Sequence, residues 1–279
     1  MRFRLGCELS YSVTQSSTFI LNVQVLPNDN LKILEETYST NPLVEVEQYT
    51  TLPERNRYLR FGVEPGELVC SYSAEVEILN RFDDPARIRE APIRELPPDV
   101  LAYLNPSRYC QSDMLVRLAQ HEFGNLEPGY SRVTAICNWI YENIEYLRGS
   151  SDAHTSAINT ATERAGVCRD FAHLAIAFCR ALQIPARFVS AYAYNLDPPD
   201  FHACFDAYLG NRWYLFDATR LAPQTGLIRI GVGRDAADTF FASSFGQAQM
   251  KEMKIFVDQV QSAGLEAAPP EFTVEAIVS

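Results

Sequence analysis

Segment 68–78 constrains this chain most. Leu68, Cys70, Tyr72, Ala74, Val76 and Ile78 alternate with Val69, Ser71, Ser73, Glu75 and Glu77. Successive side chains on a strand change face, so six apolar positions in register over eleven residues describe a half-buried β-strand, not a helix. Two more runs of period two precede it: Phe3, Leu5, Cys7 and Leu9, then Phe19, Leu21, Val23 and Val25. Turn residues Pro27-Asn28-Asp29-Asn30 and Glu64-Pro65-Gly66-Glu67 lie between the runs. Short strands divided by turns predict an antiparallel β-sandwich for the N-terminal part.

A proline-rich stretch follows, with Pro85, Pro92, Pro97, Pro98 and Pro106. Proline fixes φ and removes a donor, so 85–106 reads as a linker or an ordered crossover. The domain boundary falls near residue 95, giving a β-rich domain over 1–95 and a second domain over 96–279. Helical periodicity then predicts helices over 113–123, 131–146 and 155–164, the last capped by Thr155. A further helix runs from Cys168 to Leu182 and ends before Pro185. Ala172, Leu174, Ala175, Ile176, Ala177 and Phe178 make it apolar nearly all round, so it should be a buried central helix. Strands are predicted over 186–194, 202–209, 212–217 and 227–232, with Gly210-Asn211 as a two-residue hairpin turn. Helices followed by strands indicate an α+β fold. The pattern at 250–260 leaves the element type open, and 263–270 reads as a loose connection to a short final strand.

Charge excludes some partners. Lys and Arg number 24 against 35 Asp and Glu, a net charge of −11. Nucleic acid and anionic membrane surfaces are therefore poor main partners. The first residues lack an apolar signal core, and no run reaches the ~18 apolar residues of a spanning helix. Seven scattered cysteines then read as free thiols, which implies a cytoplasmic location.

Only four histidines can serve as an imidazole base: His121, His154, His173 and His202. Taken singly, each reads as a surface or satisfied core residue. Cys168 stands apart by context, since Gly166 supplies a permissive turn before a buried helix. The free N–H groups and dipole at that helix start favour negative charge and can hold an oxyanion. The alternative is that Cys168 is simply a small hydrophobe, as suits Cys7, Cys70, Cys137 and Cys179. A two-residue loop at Gly210-Asn211 would set Cys204 opposite Asp217 and His202 opposite Thr219. His202 and Asp217 are then diagonal neighbours on one face, with Cα atoms ~7–8 Å apart. Ala203, Phe205, Ala207, Leu209, Tyr214, Phe216 and Ala218 share the other face, which suits a core. An odd-length loop would separate the pair. Asp217 could fix the imidazole tautomer and favour its charged form. A metal reading through Cys168, His173, Cys179, His202 and Cys204 is weaker. Cys168 and Cys179 stand ~16 Å apart along one helix. No C-x2-C pair or H-E-x-x-H motif occurs, so no metal or cofactor is expected.

Gly166-Val167-Cys168-Arg169-Asp170-Phe171-Ala172-His173-Leu174, Ile184-Pro185-Ala186-Arg187-Phe188-Val189-Ser190, His202-Ala203 and Phe216-Asp217-Ala218-Thr219 together resemble the transglutaminase-like core of the papain superfamily. The resemblance covers 108–235. The first ~80 residues resemble the β-rich domain that precedes this core in bacterial transglutaminase-like proteins. It implies a papain-like core of helices packed on an antiparallel sheet, with Cys168 as nucleophile, His202 as general base then acid, and Asp217 as orienter. It also implies an oxyanion hole from the Cys168 backbone N–H and an upstream side chain, for which Tyr146 is the candidate. Asp170 and His173 should pack or hydrogen-bond around the helix. Two positions depart from the family pattern. Cys204 replaces a tryptophan, which should remove an aromatic wall, and Ala218 replaces a proline, which should loosen the turn after Asp217. The calcium sites of the large animal enzymes are not implied. The expected function is acyl transfer on an amide or peptide bond of a peptide or protein substrate, ending in hydrolysis. The alternatives are a protein-glutamine γ-glutamyltransferase and a non-catalytic binding module that retained the core.

Overall fold

The computed structural model describes residues 1–260 and 273–279. The alternation at 68–78 becomes the strand Gly66–Ile78, and its six inward residues are all buried. This strand pairs with Arg2–Val13 and with Leu31–Asn41. A second sheet contains Glu47–Thr50, Arg57–Val63 and Ser17–Leu21. Every pair is antiparallel, and Phe3, Leu5, Leu9, Phe19, Leu59 and Leu68 form part of the buried core they share. The N-terminal sandwich is therefore present.

Strands from the far end of the chain complete both sheets. Ala248–Gln259 lies along Arg2–Val13, and Ala242–Phe245 lies along Ser17–Leu21. The element at 250–260 is thus a strand. It covers an edge that would otherwise leave a row of backbone N–H and C=O groups unpaired. Consequently a division at residue 95 does not yield two contiguous pieces, because 242–259 belongs to the N-terminal sheets. The connection expected at 263–270 lies outside the described residues. The short final strand is Ala276–Ile277, paired with Phe82–Asp83.

Among the described residues the second unit has four α-helices: α1 (Ser112–Phe123), α2 (Tyr130–Asn143), α3 (Ala157–Glu163) and α4 (Cys168–Ala181). Two boundaries differ from the periodicity. α2 stops short of Tyr146, because Ile144 turns to extended backbone and Glu145–Tyr146 pairs in parallel with Ala165–Gly166. α3 starts after Ser156, whose N–H and hydroxyl both donate to Asn159 Oδ1 at 3.1 and 2.7 Å. Thr155 instead donates to Asp152.

The antiparallel sheet of this unit has the order Arg212–Phe216, Phe201–Leu209, Ala186–Ala193, Leu227–Gly233. From Asp170 to Ala181, every residue of α4 is buried. Phe171, Leu174 and Phe178 pack in one cluster with Phe188, Phe205 and Phe216 of the sheet. Each such side chain contributes roughly 1.5–3 kcal/mol by leaving water. The sandwich meets the sheet elsewhere, through Tyr192, Ile228 and Ile230. Tyr192 donates its hydroxyl to Val23 O at 2.7 Å, and Asn56 bonds Val232 through both its N–H and C=O. α4 thus rests on a sheet that the sandwich braces.

The 85–106 crossover is ordered, with short turns at Pro85–Arg87, Ile93–Glu95 and Leu101–Leu104. Arg89 O accepts from Gly210 N at the hairpin tip, Ile88 O accepts from Tyr130 N, and Leu96 and Val100 pack with Tyr208. Asn105 O holds Arg180, near the C-terminal end of α4. The crossover therefore wraps the hairpin tip and the end of α4 opposite Cys168.

Candidate active site

Cys168 is the first residue of α4. The approach to it is shaped by Asp170, whose Oδ2 accepts the Val167 N–H at 2.9 Å and so caps the helix. That bond brings Asp170 against Gly166, where a Cβ would stand 2.7 Å from Asp170 Cβ. Gly166 is therefore needed for close approach, not for the turn freedom inferred from sequence. Cys168 is half-buried, whereas the other six cysteines are buried.

The hairpin has the register expected of a two-residue loop. Phe205 pairs with Phe216 and Leu209 with Arg212, while Gly210 and Asn211 take φ of 52° and 66°. Continuing that register past Phe216 brings the side chains of His202 and Asp217 together. His202 Nε2–H donates to Asp217 Oδ2 at 2.7 Å, and both residues are buried. Asp217 Oδ1 accepts from Thr219 N and Thr219 Oγ1, each at 2.8 Å. These two bonds close the turn that Ala218 was expected to loosen. The Cys204 thiol is buried beneath the site in a cluster with Val189 and Leu215, so it forms no open wall.

His202 Nδ1 is buried without a well-aligned hydrogen-bond partner among the described residues. The Cys168 thiol nevertheless lies near enough to act on the ring through a hydrogen bond and through charge. Burial is the largest influence on His202 and disfavours its charged form. The Asp217 charge and hydrogen bond, aided by Cys168, outweigh burial and push His202 up to about 10. Burial works against the Asp217 charge as well, but His202 and the two Thr219 bonds hold its carboxyl below the ordinary range. The two residues form a buried imidazolium–carboxylate pair.

Tyr146 is half-buried beside Phe171, with ring centroids 5.7 Å apart. Its hydroxyl interacts with both the Cys168 backbone N–H and the Cys168 thiol. Burial first, and then Cys168, push this phenol up to about 12, so it is a neutral donor near pH 7. The strand pairing at Ala165–Gly166, absent from the predicted helix, is what carries Tyr146 to the start of α4.

The remaining histidines stand apart. His121 is exposed beside Glu122, and His154 is exposed in a loop. His173 is buried, stacks on Tyr109 with centroids 5.0 Å apart, and accepts from Ala236 N through Nε2 at 3.1 Å. Burial, then Arg169 and Arg180, hold its pKa well below the ordinary value, so it is a neutral packing residue. Among the described residues no group of three or more His, Cys, Asp or Glu is placed to hold a metal. Nor is any helix there long and apolar enough to cross a membrane. Thr219 stood in the recognised motif without a role, although its spacing after Asp217 is the signal of a side-chain-closed turn.

Comparison with known proteins places these features in a family. Residues 117–218 match the transglutaminase-like superfamily, and residues 1–99 match the N-terminal domain of bacterial transglutaminases. A solved structure from Cytophaga hutchinsonii, named a "Putative Cysteine Protease", superposes with a TM-score of 0.94 at 42% identity, covering 100% of this chain and 97% of that one. An uncharacterised protein of Mycobacterium leprae is 28% identical over 144 residues, 48% of this chain and 51% of its own length. One from Mycobacterium tuberculosis strain H37Rv is 33% identical over 96 residues, 34% of this chain and 30% of its own. The chain thus spans about half or less of the mycobacterial relatives it matches. With the helix-start cysteine, the buried His–Asp pair and a full-length relative in agreement, the chain belongs to the transglutaminase-like superfamily and carries the N-terminal domain of its bacterial members.

Proposed function

We propose that this protein is a cysteine-nucleophile acyl-transfer enzyme that hydrolyses an amide bond of a peptide or protein. One observation carries the reading. The half-buried thiol, Cys168, lies at a helix N-terminus beside an imidazole that a buried carboxylate holds charged. Such an imidazolium is the partner a thiolate nucleophile uses. Cys168 sulfur attacks the carbonyl carbon, and the carbonyl π electrons move to oxygen. The Cys168 N–H, which gives up the Tyr146 hydroxyl, and that hydroxyl itself then both donate to the oxyanion. His202 passes its proton to the leaving nitrogen as the C–N bond breaks, which leaves a thioester and a free amine. Neutral His202 takes a proton from water as that water attacks the thioester. The acid leaves, and the sulfur–imidazolium pair is restored. Asp217 keeps Nε2 protonated throughout, so Nδ1 is the nitrogen that exchanges protons.

The name of the Cytophaga hutchinsonii relative supports the hydrolytic ending. The test is to incubate the protein with a glutamine-containing peptide and a primary amine and to weigh the products. Cleaved or deamidated peptide, absent with Cys168→Ala, is expected. Incorporation of the amine would replace hydrolysis with γ-glutamyl transfer, and unchanged peptide across a varied panel would favour a binding module.

A further inference from the structure

A cavity of about 370 Å³ lies between α2 and the turn that follows Asp217. That size falls within the roughly 300–1,000 Å³ of small-molecule sites. Tyr130, Thr134, Cys137 and Asn138 recur at helical spacing, so one face of α2 forms one wall. Phe216, Asp217, Arg220 and Ala222 form the wall opposite. Cys168, His202 and Tyr146 take no part in either, so of the proposed catalytic residues the cavity touches Asp217.

The floor is apolar. Tyr130, Cys137, Phe216 and Ala222 are all buried there, which suits a ligand with an apolar body. Two charged residues line the cavity, and they differ. Asp217 is matched by His202 and accepts twice more from Thr219. Arg220 is exposed and forms no ion pair among the described residues. Its backbone is left-handed, with φ of 55°, a conformation that costs any residue bearing a Cβ. Contacts with α2 hold it there. Arg220 Nη2 donates to Asn138 Oδ1 at 2.6 Å, and the guanidinium carbon lies 4.2 Å from the centre of the Tyr141 ring. That bond uses the Asn138 oxygen and leaves the Asn138 amide N–H groups and the rest of the guanidinium as donors. An unmatched positive charge and free donors beside an apolar floor make a receptor for an anion with an apolar body.

We propose that this cavity binds a small monocarboxylate with an apolar or aromatic body, held by Arg220 and Asn138. The site is separate from the proposed nucleophile and does not depend on the hydrolytic reading. A ligand in it packs against Asp217, the carboxylate that steadies His202.

4-Fluorophenylacetate and its neutral amide, followed by fluorine NMR at low salt, test the proposal. The two share one aromatic body, so their difference reports the charge. The wild-type protein should bind the acid about threefold or more tighter than the amide. Arg220→Gln should abolish that preference, and Arg220→Lys should keep it. Thr134→Phe, which fills the cavity from α2, should abolish binding of both. Iodoacetamide should still label Cys168 when the acid is saturating. No binding at millimolar concentration, equal binding of acid and amide, or acid binding indifferent to Arg220→Gln and Thr134→Phe would overturn the proposal. Protection of Cys168 that survives Thr134→Phe would also overturn it, by placing the ligand at the nucleophile instead.

Discussion

At Asp217, three hydrogen bonds and one charge converge on a single buried carboxylate. Its effect on His202 sets a pH signature. The folded chain holds the His202 proton up to about 10, against an ordinary 6.5. That proton stabilises the fold fully below 6.5, and the contribution is lost as pH rises through about 10. Asp217 is held below its ordinary 3.8, so its contribution is present above 3.8 and is lost as pH falls through the lowered value. Asp217→Asn should therefore cost about 3–5 kcal/mol near neutrality, the cost of breaking a buried pair. The cost should shrink above about 10. Urea unfolding of both proteins across pH measures it, and a difference that does not vary with pH would contradict the pair. The pairing was legible in the sequence because register arithmetic needs only the loop length. Tyr146 was named through the family resemblance alone, because its meeting with Cys168 depends on a two-residue parallel pairing too short to leave a periodicity.

Among the elements, the start of α4 is the most tightly determined. Gly166, Val167, Cys168 and Asp170 form one device, in which the carboxylate caps the helix and the glycine makes room for it. Gly166→Ala would drive a Cβ to 2.7 Å from Asp170 Cβ, against an element that cannot shift without moving Cys168. It should cost about 1–3 kcal/mol and slow Cys168 labelling together, as overpacking does. A urea midpoint and labelling rate like the wild type would contradict this. The glycine and aspartate were visible as a motif, but their mutual contact was not, since spacing does not report a Cβ clash. The apolar run of α4 did show burial, because no polar face was left for water. The helix boundaries at 146 and 155 were misplaced for a local reason: strand pairing and side-chain capping overrode the periodicity there.

The whole molecule sorts its thiols by depth. Burial pushes Cys7 and Cys70 up to about 11 and Cys110 up to about 12, and it drives Cys137, Cys179 and Cys204 well above the ordinary value. Only Cys168 among the seven is half-buried. The return of 242–259 to the N-terminal sheets helps fix this arrangement, tying the end of the chain to the sandwich that braces the sheet beneath α4. That return was hidden in the sequence, since a strand's pattern does not name its partner. The most direct measurement is the iodoacetamide labelling rate of each cysteine near neutral pH, in the folded protein and in urea. Folded Cys168 should react on the order of tenfold faster than the same thiol unfolded, and His202→Ala should abolish that excess. Labelling of folded Cys168 no faster than in urea would contradict an activated nucleophile at this site.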